Sequence, residues 1–345
     1  KRAAFSPVTP DADRPKKVVD DNAEFPSFLK YLAVWKRRPI AAGQFKYLKV
    51  DDRRSVHVRD VKGGAVPMAV VDLKQLGKIV WRARTYGDGR FFFYPAMARA
   101  KPGQPWSAST VALVSRGKGE LGASAESVTL KLPGKNADKT IQLDMALVVD
   151  TTASMKPALK MLQPALLNAL KRLNALGAKL DLKIGAVAYR DAGEAYLTKR
   201  LPMSGNLPQL LERIATLEAA GGGDTPDALD QGLYVAIDQL SWRRDSAKVV
   251  FVLTDATPKP STAGDQDHTV SAIRAAAMGI RIHSLALEGH DALGTLALRQ
   301  LAQMACGQFI PLPKPADTSL QGRLADIIFG RLRAEVQGWQ KPPKK

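Results

Sequence analysis

Three short polar clusters in the sequence carry oxygen atoms of the kind that bind a hard metal ion. Asp150, Thr152 and Ser154 directly follow an apolar run, Thr225 lies in the glycine-rich loop 221–227, and Thr254-Asp255 ends a second apolar run. In a loop that joins a strand to a helix, side chains at positions i, i+2 and i+4 can turn their oxygens toward one point. Carboxylate and hydroxyl oxygens suit Mg²⁺. An ion held by few protein charges would stay ready to accept a carboxylate from a partner.

The elements that must position these clusters begin at Asp144. From there apolar runs typical of strands buried on both faces alternate with segments of helical periodicity. This alternation predicts an α/β fold with a doubly wound, mostly parallel sheet, and ligand sites in such sheets lie at the carboxyl ends of the strands. We expect strands at 145–150, 182–189, 249–255, 280–287 and 308–312, and helices at 159–176, 207–217, 228–240, 270–278, 296–305 and 320–336.

The three clusters, in this order, resemble the metal-ion-dependent adhesion site of von Willebrand factor A (VWA) domains. Segments 185–191 and 279–283 are also similar to interior strands of that family. The resemblance implies a VWA domain over 144–336. It implies that Thr152, Ser154 and Thr225 bind the ion directly, and that Asp150 and Asp255 bind directly or through waters. Mg²⁺ is the expected cofactor, with Mn²⁺ or Ca²⁺ as alternatives. Thr152 stands where serine is commoner, and its hydroxyl offers the same oxygen.

Residues 45–143 show short alternating runs split by turn residues, which predicts a small antiparallel β-sandwich. The pattern of Asp60, Gly63, Val66-Pro67 and 85–93 resembles the carboxypeptidase-regulatory-like, transthyretin-like sandwich. That resemblance implies a non-catalytic spacer or adhesion unit of an exported protein. The Gly- and Ser-rich segment 101–127 is expected to form long loops.

The two ends of the chain carry weaker patterns. Residues 1–44 are expected to form an extended basic leader with a short amphipathic helix over 25–35, in which Phe28, Leu29, Leu32 and Trp35 share a face. We expect this helix to pack on the following domain. The basic run 36–38 leaves a second interpretation, a helix that docks on a membrane surface. Residues 337–345 form a basic tail.

The 345-residue chain has a net charge of +18, and this charge is unevenly distributed. Segments 1–50, 51–143 and 331–345 carry net charges of +6, +8 and +4, whereas segment 144–330 carries equal numbers of basic and acidic residues. The basic flanks are expected to attract an anionic surface. No nucleic-acid-binding motif accompanies them, so a specific nucleic-acid partner is not expected.

Several other residues have structural interpretations. Arg190-Asp191 is interpreted as a local pair beside the site, Cys306 as a buried small apolar residue, His283 as a core or interface residue, and Asp88 as a turn residue. The single cysteine excludes an internal disulfide. The four histidines lack the close pairing that a zinc site would need.

Catalytic interpretations meet specific obstacles. A haloacid-dehalogenase-like phosphotransferase needs a second aspartate two positions after the first, and residue 152 is threonine. Ser154 lacks the Gly-x-Ser-x-Gly turn, and the sequence has no Gly-x-x-x-x-Gly-Lys loop. We therefore expect a non-catalytic module in which the ion bridges to an acidic residue of a protein partner. The expected location is periplasmic or cell-surface. The alternatives are an intracellular VWA protein that partners an AAA-type ATPase in assembly or metal insertion and, more remotely, a Mg²⁺-dependent phosphotransferase.

Overall fold

The structure is a computed structural model, and it describes residues 15–38, 46–112, 115–122, 124–132, 140–222, 228–258 and 267–340. Segment 46–132 forms two small sheets that face each other. One is three-stranded, with order β4-β1-β7, and the other is four-stranded, with order β3-β2-β5-β6. The strands are β1 (Arg54–Asp60), β2 (Val70–Gln75), β3 (Lys78–Arg84), β4 (Arg90–Phe93), β5 (Trp106–Ala112), β6 (Ser115–Leu121) and β7 (Ser127–Leu132).

Aromatic side chains fill the space between these two sheets. The Phe93 ring lies 5.5 Å from the Trp81 ring and 4.6 Å from the Trp106 ring, both in edge-on geometry. Such pairs add to the stabilisation that burial of their apolar area provides. The alternating pattern thus gives two facing sheets, while membership of the carboxypeptidase-regulatory-like family stays a prediction.

One expectation for this half was wrong, and another holds with one exception. Segment 101–127 was expected to form loops, but it contains the whole of β5 and of β6. Its glycines permit close packing instead: a Cβ added at Gly117 would lie 2.6 Å from the Lys131 carbonyl oxygen, and one at Gly119 would lie 2.6 Å from Leu130 Cδ2. The sheets are antiparallel, as expected, except that β1 and β7 are parallel. After β1 the chain builds the whole of the opposite sheet, from β2, β3, β5 and β6, before it reaches β7. Strand β7 then starts at the same end of the three-stranded sheet as β1 and runs beside it in the same direction.

The second half is the predicted doubly wound sheet. Its strand order is β10-β9-β8-β11-β12-β13, and every pair is parallel except β9 with β10. The strands are β8 (Ile141–Asp150), β9 (Leu180–Tyr189), β10 (Thr198–Ser204), β11 (Ala247–Thr254), β12 (Ile280–Ala286) and β13 (Phe309–Pro311). The helices are α2 (Lys156–Asn174), α3 (Leu207–Ala215), α4 (Leu229–Tyr234), α5 (His268–Met278), α6 (Ala292–Met304) and α7 (Leu320–Gln340).

The two faces of this sheet belong to different apolar clusters. Met145 and Leu147 of β8 pack with α2, α3 and α7, whereas Ala146 and Val148 pack with α4, α5 and α6. The cluster that contains Ala146 and Val148 continues into the interior of the sandwich. A π-helical segment, Val235–Gln239, follows α4 where one continuous α-helix was expected. No helix in the described part of the chain is long and apolar enough to cross a membrane.

The segment before β1 fastens the two halves together. Helix α1 (Phe25–Lys36) buries Phe25, Phe28, Leu32 and Trp35, which confirms that it packs on the protein. Val19 pairs antiparallel with Phe309 at the outer edge of β13. The part of the predicted leader that the structure describes is therefore integrated into the fold, and residues 1–14 lie outside the described residues.

A buried ion pair anchors this segment. Asp21, 3% exposed, accepts hydrogen bonds from Arg299 of α6 at 2.9 Å to Nε and 2.5 Å to Nη2. The guanidinium also lies 3.8 Å from the centre of the Tyr31 ring. Because the charge of Arg299 is removed from water, it depends on the Asp21 carboxylate.

We expect the Asp21→Ala substitution to lower the free energy of unfolding by about 3 kcal/mol, because it leaves the Arg299 cation buried and unpaired. The matched control is Asp326→Ala, which removes an exposed carboxylate bound to Arg172 at 2.6 Å, and its effect should be much smaller. Urea unfolding of both variants measures the difference. Equal losses would show that the buried pair does not anchor the segment.

A buried lysine lies near the start of β11. Lys248 is 4% exposed, and its Nζ donates to the carbonyl oxygens of Ser246 at 2.8 Å and Arg244 at 3.2 Å. Burial, and then the nearby positive charge of Arg84, lower the pKa of Lys248 to about 7 from an ordinary value of 10.5. Between those two values the unfolded chain binds a proton that the folded chain releases, so stability rises with pH.

We expect the unfolding free energy of the wild type to rise by roughly 2–3 kcal/mol between pH 7 and 9.5, relative to that of Lys248→Met. Denaturant titrations across this pH range measure the difference. Replacement of the exposed Lys160 by Met is the control and should leave the slope of the wild type unchanged. Parallel curves for the wild type and Lys248→Met would contradict the proton linkage.

Candidate metal centre

The centre of the candidate site is the carboxylate of Asp150 at the end of β8. Asp150 is fully buried, and its Oδ1 accepts hydrogen bonds from Thr152 N at 2.8 Å and Thr152 Oγ1 at 2.7 Å. Its Oδ2 accepts from Thr254 Oγ1, at the end of the neighbouring β11, at 3.1 Å. Parallel pairing of β8 with β11 therefore places the ends of both strands at one point, as the sequence predicted.

Two further oxygens extend this group toward solvent. Ser154 Oγ lies 3.3 Å from Thr152 Oγ1 and donates a hydrogen bond to Asp255 Oδ1 at 3.2 Å. Thr152 is buried, Asp255 is half-buried and Ser154 is exposed. The structure thus brings together four of the five predicted residues, Asp150, Thr152, Ser154 and Asp255, and the group opens to solvent on the side of Ser154.

The electrostatics of this group favour a cation. Burial, and secondly the negative charge of Asp150, raise the pKa of the Asp255 carboxyl, and the hydrogen bond from Ser154 partly opposes this rise. The carboxylates of Asp150 and Asp255 are linked through the hydroxyl groups of Thr152 and Ser154. Two carboxylates this close repel each other unless a proton or a cation lies near them.

The donor set fits a hard divalent cation. Mg²⁺ holds oxygen ligands in octahedral geometry at about 2.1 Å, so neighbouring ligand oxygens are roughly 3 Å apart. The successive oxygen separations along Asp150, Thr152, Ser154 and Asp255 are 2.7, 3.3 and 3.2 Å. Among the described residues no group of three or more His, Cys, Asp or Glu side chains could hold a metal. The site therefore combines two carboxylates with hydroxyl groups, a set suited to Mg²⁺, Mn²⁺ or Ca²⁺.

Thr225, the fifth predicted residue, lies outside the described residues, which stop at Gly222 and resume at Ala228. The start of its loop lies directly against the site. Gly221 O accepts from Ala153 N at 3.1 Å, and Gly222 N donates to Glu194 Oε1 at 2.6 Å. A Cβ added at Gly222 would lie 3.0 Å from Thr152 Cβ.

Residues around Arg190 support the loop that carries Thr152. Arg190 Nε donates to Thr151 O at 3.1 Å, its Nη2 donates to Glu218 O at 2.6 Å, and its guanidinium lies 4.4 Å from the centre of the Tyr196 ring. Thr151 Oγ1 lies 2.9 Å from the Tyr196 hydroxyl. Arg190 is beside the site, as expected, and it binds main-chain carbonyls. The supporting roles of Tyr196 and Glu194 carry no sequence signal, because both residues lie in an irregular segment distant from the motifs.

The remaining residues keep their structural interpretations. His283 is buried and its ring stacks on Phe251 at 5.6 Å; burial lowers its pKa well below the usual value. Burial raises the pKa of the Cys306 thiol to about 11, so this cysteine stays protonated and unreactive. Asp88 forms a turn and accepts from Arg90 N at 3.2 Å.

Residues 144–311 match the family model of the von Willebrand factor type A domain. The chain therefore contains a VWA domain over this segment, as its motifs predicted. Domains of this type usually bind a divalent metal at a metal-ion-dependent adhesion site and are generally non-catalytic.

The chain is also similar to individual proteins. It is 25% identical over 128 residues to alpha-protein kinase vwkA of Dictyostelium discoideum; the match covers 37% of this chain and 20% of that protein, so the chain spans about a fifth of this relative. Similar solved structures include BatB from Bacteroides thetaiotaomicron, at 14% identity, 56% and 99% coverage of the two chains and a TM-score of 0.39. Another is the vWF domain of the type V pili tip protein Mfa5 from Porphyromonas gingivalis, at 14% identity, 58% and 97% coverage and a TM-score of 0.43.

The contact between Gly222 and Thr152 gives a stability prediction. Gly222 has φ +74°, and Gly177, after α2, has φ +67° with nothing within 4 Å of an added Cβ. Alanine at either position suffers the same backbone strain of roughly 1–2 kcal/mol, and only Gly222→Ala also pushes against Thr152. Urea unfolding should therefore show a larger loss for Gly222→Ala than for Gly177→Ala. Equal losses would contradict close packing of the 221–222 segment on the site.

Proposed function

We propose that this protein is a non-catalytic, divalent-metal-dependent protein-binding module. In this proposal Asp150, Thr152, Ser154, Asp255 and Thr225 hold Mg²⁺, with Mn²⁺ or Ca²⁺ as alternative ions. The observation that carries the proposal is the convergence of four oxygen-bearing side chains, two of them carboxylates, at the carboxyl ends of β8 and β11.

Each residue has a distinct role in this proposal. The Thr152 N–H and the Thr254 hydroxyl orient the two oxygens of Asp150, and Thr254 Oγ1 in turn accepts from Ala256 N at 3.1 Å. Ser154, on the solvent side, offers its hydroxyl at the opening of the site. When bound, the ion would supply an electrophilic position for a carboxylate of the partner.

The same geometry favours binding over catalysis. Residue 152 provides a hydroxyl group that donates to Asp150, where a phosphotransferase of the kind considered above would need a second carboxylate. Even if all five proposed side chains bind directly, a six-coordinate ion keeps one coordination position open. An acidic side chain from another protein can fill that position. We place the protein outside the cytoplasm, in the periplasm or at the cell surface, because its N-terminal half resembles a sandwich of exported proteins.

Titration calorimetry with Mg²⁺ tests the site. The wild type should bind one ion per chain, and Asp255→Asn should weaken binding by roughly 100-fold or more, since even changes outside the ligand sphere cost 10- to 100-fold. The double variant Asp150→Ala, Thr225→Ala should bind no Mg²⁺. Asp317→Asn, which removes an exposed carboxylate elsewhere, is the control and should bind as the wild type does. Absence of a Mg²⁺ response in folded wild type would overturn the metal assignment.

A pull-down from an extract of the source cells tests the binding role. Capture of a partner by the immobilised wild type should occur in Mg²⁺, disappear in chelator and return when Mg²⁺ is restored. Folded Asp255→Asn should capture the partner poorly under all three conditions. Capture that is indifferent to chelator would show that the ion does not bridge the two proteins.

A further inference from the structure

The outer face of the four-stranded sheet carries an ordered set of polar side chains. Directly paired residues on neighbouring strands point to the same face of a sheet. One such row runs Ile79, Lys74, Ser107 and Glu120, and the adjacent row on the same face runs Arg82, Asp72, Ser109 and Lys118.

A cleft lies between these two rows. Its volume is about 440 Å³, and it is lined by Lys74, Ser107, Ser109, Lys118 and Glu120 together with main chain of β5 and β6. Two ammonium groups and two hydroxyl groups can donate to the oxygens of one anion. Glu120 is the acidic side chain of the cleft, and Asp72 beside it is bound to Arg82 at 2.5 and 2.8 Å.

The hairpin that joins β2 to β3 has an unusual tip next to this cleft. Gln75 pairs with Lys78, so the turn consists of Leu76 and Gly77, with φ of +51° and +78°. Such turns favour Asn, Asp or Gly at both positions. Leucine is disfavoured there, yet Leu76 is 62% exposed and is not compensated by burial; Ile79, two residues after Gly77, is 48% exposed.

Cations surround these two apolar side chains. Lys74 pairs with Ile79, Lys78 follows the turn, and the exposed Lys101 lies beside it because Gln75 Nε2 donates to Lys101 O at 2.9 Å. A strained, exposed leucine with lysines at nearby positions gains no stability from burial. It matches the surface of an anionic bilayer, where aliphatic side chains enter the apolar boundary and lysines contact phosphate groups.

We propose that the Leu76 tip and the adjacent lysine-lined cleft form a docking surface for a membrane rich in anionic phospholipid. Nucleic acid fits this surface less well, because proteins that bind it without sequence preference stack bases on accessible aromatic rings. The tryptophans of β3 and β5, Trp81 and Trp106, are 9% and 3% exposed and face the interior. The surface belongs to the segment with net charge +8 and does not depend on the candidate metal site.

The test is flotation of the full chain with vesicles of equal phosphatidylcholine and phosphatidylglycerol, compared with vesicles of phosphatidylcholine alone. The wild type should bind the anionic vesicles, and added salt should weaken the binding. Leu76→Asn should reduce vesicle affinity by about tenfold or more through lost apolar insertion. Because asparagine suits the turn, the same variant should unfold at an equal or higher urea concentration. Loss of binding in Leu76→Asn therefore cannot be attributed to misfolding.

Two sets of controls locate the surface. Lys74→Ser and Lys118→Ser should each weaken vesicle binding about fivefold. Leu176→Asn removes a 40% exposed leucine from the VWA half and should bind as the wild type does, as should Asp255→Asn, whose defect is expected only in Mg²⁺ binding. Equal binding to both kinds of vesicle, or an unchanged affinity in Leu76→Asn, would overturn the proposal. Displacement of the protein from vesicles by single-stranded DNA or inorganic phosphate at matched charge concentration would also overturn it, in favour of a simple anion site.

Discussion

The parallel pairing of β8 with β11 is the constraint on which the site depends. Val149 pairs with Leu253, so the next residues, Asp150 and Thr254, emerge side by side where both strands end. The Asp150 carboxylate is thereby buried, which would be costly without donors, and one N–H and two hydroxyl groups compensate it. Asp255, one residue further, accepts a hydrogen bond from the Ser154 hydroxyl, and its pKa is raised. Without a cation, the fold keeps two carboxylates close together, and this electrostatic cost is what binding of an ion would relieve.

The central strands and the position of the candidate site could be predicted from the sequence, because the sequence patterns that indicate them are local and strong. The apolar runs of β8 and β11 can be buried only as central parallel strands, and polar residues at their carboxyl ends must then meet. Strand β10 was not predicted, since Lys199, Arg200 and Pro202 give it the composition of a protected edge. The strand pairing of the sandwich could not be predicted from the sequence either, because the glycines at 117 and 119 are typical of loops as well as of close contacts between sheets. The position of Thr225 is still a prediction.

Tertiary contacts override local composition at the N-terminal segment. Residues 15–21 contain a proline and four charged side chains, which predicts an extended leader. Val19 nevertheless extends the edge of β13, and Asp21 is buried against Arg299. No local pattern indicates a partner almost three hundred residues away. Burial of this N-terminal segment also connects the two halves of the molecule. Helix α1, the sandwich interior and one face of the VWA sheet form a continuous apolar cluster, so the two halves share a core.

This shared core bears on how two binding surfaces of different chemistry could operate on one chain. The candidate metal centre lies in a segment with equal numbers of acidic and basic residues. Its proposed preference for a carboxylate would therefore come from the ion and not from a general positive field. The sandwich segment 51–143 carries a net charge of +8, and the proposed docking surface around Leu76 lies there. Because both surfaces are built on strands that pack into one core, contact of the tip with a bilayer would fix the direction in which Ser154 and Asp255 face. A fixed orientation would lower the rotational entropy cost of binding a partner. It would also favour partners that approach from one side of the membrane.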